Sequence, residues 1–322
     1  FARLRCNVGW KKDWNLSTVL AVYAATAAGG RVAGLSAPQI AAAMGIASMQ
    51  SSGIMEMVAG LGSDLRGLYA GFSAKGAVLA VMMAEQGISG IDRLFEGTYG
   101  VFNSYFGGQY DRSAMVQALG TQFLGSGTLF KRWPCVGTAH SHMKAAIDIV
   151  TENNLGPDDI AQIKLHVGDY HDLMCQPLIE RCSPSTLADA KFSLPFLVAV
   201  ATLRRGMSVT DFTQNGLRDP QVLAIARKIT PLRDPALDWK LDLPLGRVEI
   251  ETHSGNHWLA EGKAVPGNAD NPLTWNQICA KFAECAAVSS HPLAADKVAQ
   301  AQDMAQHLET LGDATDLIRL LA

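Results

Sequence analysis

Apolar positions recur at helical spacing from early in the chain. Leu16, Val19, Leu20, Tyr23 and Ala27 fall at three- and four-residue steps, while Ala21, Ala24, Ala25 and Ala28 offer a small-residue face suited to close packing. Ser36 stands where an N-cap belongs, with Pro38 in the first turn, and opens a second alanine-rich segment that Gly45 and Gly53 interrupt. A third helical run covers residues 68–86, with Gly87 placed to stop it. Residues 1–127 therefore predict an all-helical domain.

The pattern changes after Gly125-Ser126-Gly127. Residues 142–150 predict a short helix, and Ile163-Lys164-Leu165-His166-Val167 alternates with the two-residue period of a strand. Residues 189–203 predict a long apolar helix, and Asp219-Pro220 starts another that runs to about residue 229. Arg247 to Thr252 and Trp258 to Ala264 flank Ser254-Gly255-Asn256, which predicts a hairpin. Pro266 to Pro272 is a linker of turn formers, after which residues 274–286 and 294–311 are helical again. The chain thus divides into a helical domain (1–127), an α+β domain (128–267) with antiparallel pairing, and C-terminal helices (268–322) expected to return to the helical domain.

Charge narrows the function. The 322 residues carry 27 basic and 30 acidic side chains, a net charge of −3, and hold no Lys/Arg-rich run, so nucleic acid is not the expected partner. Charged residues make up 18% of the chain, against about 25% in an average soluble domain. Part of so uncharged a surface is expected to lie between subunits. The six cysteines form no C-x-x-C pair and no zinc spacing, so they read as reduced thiols, and the expected location is cytoplasmic. The longest uncharged stretch, Val32 to Met55, holds Ser36, Pro38, Gln39, Ser48, Gln50, Ser51 and Ser52, and reads as a soluble helical region. Neither a membrane span nor a signal peptide is expected. The chain opens Phe1-Ala2-Arg3-Leu4, as a fragment cut within a helix would.

No P-loop, dinucleotide glycine fingerprint or nucleophile elbow is present, which lowers the weight of phosphoryl transfer, hydride transfer and esterase chemistry. The densest polar and aromatic cluster runs from Lys131 through Trp133-Pro134-Cys135 to His140-Ser141-His142, at the expected domain junction. His140 and His142 have the H-x-H form, yet no third ligand lies nearby in the sequence. By periodicity alone Arg66 and Tyr69 read as a surface pair one turn apart. Tyr170-His171-Asp172 reads as a loop, Ser193 as a helix cap, and Met44, Met49, Met55 and Met57 as core fillers.

Lys131, Trp133-Pro134-Cys135 and His140, followed by Ala145-Ala146-Ile147-Asp148, resemble the K-x-[YW]-P-C-x-x-x-x-H segment of the MmgE/PrpD family. Three further stretches agree in the same order: Ala190-Lys191-Phe192-Ser193-Leu194-Pro195-Phe196, then Asp211-Phe212 with Leu217 and Asp219-Pro220, then Pro266-Gly267 through Asn271-Pro272-Leu273 to Lys281-Phe282. The resemblance spans nearly the whole chain. It implies a mostly α protein with a helical domain built from both chain ends, an inserted α+β domain and a homodimer. It also implies a further helical segment ahead of Phe1.

The resemblance implies a lyase, a dehydratase or decarboxylase acting on a small di- or tricarboxylate such as 2-methylcitrate or cis-aconitate. No metal and no organic cofactor are expected. A proton next to a carboxylate is removed, cationic donors hold the enolate, and a second group completes the proton transfer. By motif position, Lys131 binds or polarises a carboxylate and His140 acts as acid, base or anion donor. Arg66 stands where the family has Lys and Tyr69 where it has His; Asn15, followed by Ser17, stands at another His, and Phe196 at a Tyr. Lys131, His140 and Tyr69 are thus the candidate catalytic residues, with Arg66, Asn15 and Ser17 as substrate contacts. Asn15 and Phe196 exchange no protons, which keeps two alternatives open: an epimerase of a succinate-like dicarboxylate, and a non-catalytic family member acting as an oligomeric binding protein.

Overall fold

The computed structural model describes residues 14–240 and 243–322. Cys6 and Asp13 lie outside the described residues. The chain forms two compact units, each assembled from three stretches: 1–124, 166–193 and 231–244 in the first, and 125–165, 194–230 and 245–322 in the second. These cuts follow contacts in space and differ from the cuts at 127 and 267 drawn on the sequence.

The first unit is built on helices Leu16–Val32, Ala37–Ala47 and Leu65–Glu85, which pack on one another. Leu16–Val32 turns Val19, Val22, Tyr23 and Thr26 inward, toward the small inward face Gly76, Ala77, Ala80 and Ala84 of Leu65–Glu85. Ala21, Ala24 and Ala28, expected as a packing face, point to solvent instead; the bulkier row a few positions round the helix wins the core because it removes more apolar area from water. Ser36 caps Ala37–Ala47 as expected, with Gln39 Oε1 accepting from its main-chain N–H at 3.0 Å. Gly45 does not break that helix; a Cβ there would stand 2.4 Å from the Ile91 nitrogen, so glycine is what lets the following segment cross. Phe95, Phe102 and Tyr110 stack against this core. Met55 is buried and Met44 packs at the core edge, whereas Met49, expected as a filler, is 85% exposed.

The helix Leu65–Glu85 ends at Gly87, whose φ is +84°, as the sequence predicts. It is long and apolar enough, by length and composition only, to cross a membrane, a test that core helices of soluble proteins also pass. Its outer face leaves Leu68, Phe72, Val78 and Met82 exposed.

The second unit centres on helix Leu194–Arg204, apolar all round and fully buried from Leu194 to Ala201. The sequence predicts one helix from 189 to 203; the structure splits it into Leu187–Ala190 and Leu194–Arg204. Pro195 contributes to the split, since it has no N–H with which to continue the preceding turn. Leu194–Arg204 packs on helices His140–Glu152 and Pro220–Ala226. Asp219 caps the latter, its Oδ1 accepting from Gln221 N–H at 2.9 Å.

A mixed four-stranded sheet has the order β2-β1-β3-β4, with β1 Ile160–Val167, β2 Ile229–Arg233, β3 Arg247–Thr252 and β4 His257–Glu261. The expected hairpin is β3–β4, antiparallel, with Ile250 opposite Trp258. β2 is absent from the sequence reading because Pro231 sits within it and argues against a strand. Its place at the sheet edge is where a missing N–H is tolerated. Helices Trp275–Ala287, Ala295–Gln306 and Thr315–Leu321 complete the unit. The fold class is therefore the expected one, mostly α with a β-containing region.

Candidate functional site

Each unit carries a cluster of the candidate residues. In the first, Asn15 is the N-cap of helix Leu16–Val32. Its Oδ1 accepts from Ser17 N–H at 3.1 Å, its own N–H donates to Gly53 at 2.9 Å, and its carbonyl accepts from the Thr18 hydroxyl at 2.8 Å. Asn15 is buried and Ser17 exposed. Both line a small cavity of about 130 Å³ with Met55, Tyr170 and Trp239. Tyr69 lines a different cavity of about 400 Å³, with Thr18, Gln50, Ile54, Met57 and Phe72. The structure does not gather Asn15 and Tyr69 around one cavity.

Arg66 corrects the surface reading that periodicity gives. It is only 7% exposed, its guanidinium carbon lies 3.6 Å from the centroid of the Phe192 ring, and its Nη1 has no hydrogen-bond partner among the described residues. Burial is the main cause that pulls its pKa down to about 10, with Arg181 adding repulsion while Tyr170 and Asp189 oppose it. Asp189 is occupied elsewhere, accepting from Gly62 N–H at 2.9 Å and from the Thr186 hydroxyl at 2.8 Å. Arg181 is fully buried too, with Nε donating to the Gln176 carbonyl at 3.0 Å and Nη2 to that of Ala59 at 3.1 Å. Two buried guanidinium groups near one carboxylate leave an unbalanced positive charge, which an anion would satisfy.

In the second unit, helix His140–Glu152 presents His140 at its first position. Ser141 fixes that end: its hydroxyl donates to the Gly262 carbonyl at 2.7 Å and accepts from Gly246 N–H at 2.7 Å. Gly246 and Gly262 face each other just beyond the open end of the β3–β4 pair, and a Cβ on Gly262 would fall 1.7 Å from the Ser141 carbonyl oxygen. The helix start is therefore pinned to the hairpin by backbone contact that only glycine permits.

His140 is 3% exposed, meets the Trp133 ring edge-on at 5.1 Å, and its Nε2 has no hydrogen-bond partner among the described residues. Its pKa is pushed down to about 4, first by burial and then by the Lys131 cation, with Lys281 adding to the effect and a backbone contact at Trp133 opposing it. The imidazole is neutral at ordinary pH, the form that accepts a proton. Lys131 is held from two sides: the preceding Phe130 N–H donates to Gly267 at 3.0 Å, and Lys281 Nζ donates to the Lys131 carbonyl. Lys131, Arg132 and Lys281 form no ion pair among the described residues. Among the same residues no group of three or more His, Cys, Asp or Glu is placed to hold a metal ion. Phe196 is fully buried in the core, and the Ser193 hydroxyl donates to the Arg181 carbonyl.

Sequence reasoning missed two participants. Phe192 carries no signal toward Arg66, because the two meet only through folding. Lys281 was visible within the Lys281-Phe282 pair, but nothing in its spacing points at Lys131.

The MmgE/PrpD N-terminal domain profile matches residues 4–113 and the MmgE/PrpD C-terminal domain profile matches residues 133–310. A cis-aconitate decarboxylase of Aspergillus terreus (strain NIH 2624 / FGSC A1156) is 24% identical over 322 aligned residues, covering 96% of this chain and 64% of that protein. The cis-aconitate decarboxylase-like protein oryM of Aspergillus oryzae (strain ATCC 42149 / RIB 40) is 23% identical over 324, covering 97% and 65%. The chain thus spans just under two thirds of the length of these relatives. With both family domains matched in order over most of its length, the chain belongs to the MmgE/PrpD family.

Proposed function

We propose that this protein is a lyase acting on a small di- or tricarboxylate by acid/base chemistry, without a metal or organic cofactor. The observation that carries the reading is a buried, neutral His140 beside Lys131, a cation with no counter-ion among the described residues. A substrate carboxylate pairs with Lys131, and the carbanion or enolate charge that develops beside it is stabilised by the ammonium. In a dehydration His140 Nε2 takes up a proton from carbon and passes it to the leaving hydroxyl, which departs as water; in a decarboxylation carbon dioxide departs first, and the carbanion takes one proton from water by way of His140. The names of the cis-aconitate decarboxylase relatives support this reaction class. Arg66, whose Nη1 has no hydrogen-bond partner among the described residues, is a separate candidate for holding a carboxylate within the first unit.

A second reading is favoured by Asn15, committed to capping, and by Phe196, sealed in the core. Fewer proton-exchanging groups suit an isomerase or epimerase, which needs only deprotonation and reprotonation at one carbon. In either case the protein works as a cytoplasmic homodimer, a reading supported by the low charge and by exposed Leu68, Phe72, Val78 and Met82.

The test is incubation in heavy water with hydroxy-, imino- and unsaturated polycarboxylates, followed by proton NMR. Release of water or carbon dioxide supports the lyase, exchange at one carbon alone supports the epimerase, and no turnover on any compound supports a binding protein. Lys131→Ala and His140→Ala should each lower kcat/KM by at least about 100-fold with the fold retained. Near-normal rates in either would sink the site assignment.

A further inference from the structure

Lys281 is tied to both members of the proposed acid/base pair. It sits in the middle of helix Trp275–Ala287, donates from Nζ to the Lys131 carbonyl, and its charge bears on His140. The helix that carries it is itself fixed. Thr274 and Gln277 form a capping box at its start, with Thr274 N–H donating to Gln277 Oε1 at 2.8 Å, and Glu284 accepts from Val209 N–H at 3.1 Å.

The surroundings are one-sided in charge. His140 is influenced by Lys131, Lys281 and the Trp133 backbone, and Lys281 by Arg132, Lys131 and the thiols of Cys135 and Cys285. No carboxylate is among them. Burial and the neighbouring cations lower the pKa of the Lys281 ammonium, and the amine is half-buried. Two ammonium groups act on the buried imidazole, Lys131 exposed and Lys281 half-buried, and neither has an ion-pair partner among the described residues, so a bound anion is the counter-charge that they lack.

We propose that Lys281 is a positioning residue of the carboxylate site, holding the main chain of Lys131 in place and supplying a second ammonium that the incoming carboxylate neutralises. The proposal rests on reading Lys131 and His140 as the carboxylate-facing pair. It has a functional consequence. Before the anion arrives, burial and, after it, the two ammonium groups keep His140 unprotonated; once a carboxylate sits on those groups their repulsion is cancelled, and the imidazole becomes a stronger base when there is a proton to take.

The experiment uses the whole chain, labelled at histidine nitrogen, with tricarballylate as an unreactive tricarboxylate probe and His140→Gln to assign the resonance. In the unsubstituted protein, saturating probe should raise the His140 midpoint by a pH unit or more. Lys281→Met should weaken probe binding tenfold or more and raise the probe-free midpoint, because a repelling charge is gone. Lys281→Arg should bind within threefold of the original.

Unchanged probe affinity and an unmoved midpoint in Lys281→Met overturn the proposal. So does a Lys281→Arg variant as weak as Lys281→Met, which would make the amine a prop for the fold. If Lys131→Met abolishes probe binding while Lys281→Met does not, only the role of Lys281 fails. If the unsubstituted protein does not bind the probe and His140 does not respond, the underlying reading of Lys131 and His140 fails with it.

Discussion

Arg66 holds its guanidinium over the Phe192 ring, 3.6 Å from the centroid, where it is 7% exposed and forms no ion pair among the described residues. The stack returns about 0.5–2 kcal/mol. Removing a charge of this kind from water costs several kcal/mol even after relaxation. The cation is therefore held at a net loss to stability, as expected of a group kept for binding. Arg66→Met should raise the unfolding free energy by roughly 1–2 kcal/mol, a rise of a few °C in Tm, while abolishing carboxylate binding at that position. Thermal unfolding beside calorimetric titration with a polycarboxylate checks both halves; a lower Tm would mean that the arginine is structural.

His140 gives the stability a defined acid limb. Its folded pKa of about 4 lies below the usual imidazole value of about 6.5, so between those two pH values the unfolded chain binds more protons than the folded one. Stability is then full above pH 6.5 and falls as the pH drops toward 4, by about 3 kcal/mol in all. His140→Gln should flatten that part of the curve. Chemical denaturation at a series of pH values measures it, and parallel curves for the two proteins would contradict the buried, neutral imidazole.

Ser141 bridges the two glycines at the open end of the hairpin, with both hydrogen bonds at 2.7 Å. Ser141→Ala leaves a buried N–H and a buried carbonyl unpaired, at a cost of about 1–3 kcal/mol each. The helix start that carries His140 should loosen with it. The expected result is a lower Tm together with a kcat loss larger than any change in KM, since the base is mispositioned while Lys131 still binds. A kcat left intact would separate the anchor from the chemistry.

Much of the local structure was legible in the residues. Ser36 with Gln39, Asp219-Pro220 and the Ser254-Gly255-Asn256 turn announce their caps and corner through local hydrogen bonding and backbone preference, and all are found as read. β2 was hidden because Pro231 argues against a strand, and only the edge of a sheet makes that tolerable. The exposed alanine face of Leu16–Val32 misled for a related reason: a helix that is apolar or small on most of its surface does not state which side the neighbours will cover.

The site divides in the same way. Lys131 and His140 were visible as a spaced pair beside Trp133, and the burial that keeps His140 neutral is a property of packing. Arg66 read as a surface residue by periodicity. Its burial depends on Phe192, and the hold on Lys131 depends on Lys281, partners remote in sequence that no spacing rule connects. The sequence by itself determined most of the helices, the hairpin, the family and the identities of the charged candidates, because those follow from local preference and motif order. The tertiary structure alone decided which cations are stripped of water and left without counter-ions. Desolvation and net local charge depend on everything that closes around a group, and those neighbours come from distant parts of the chain.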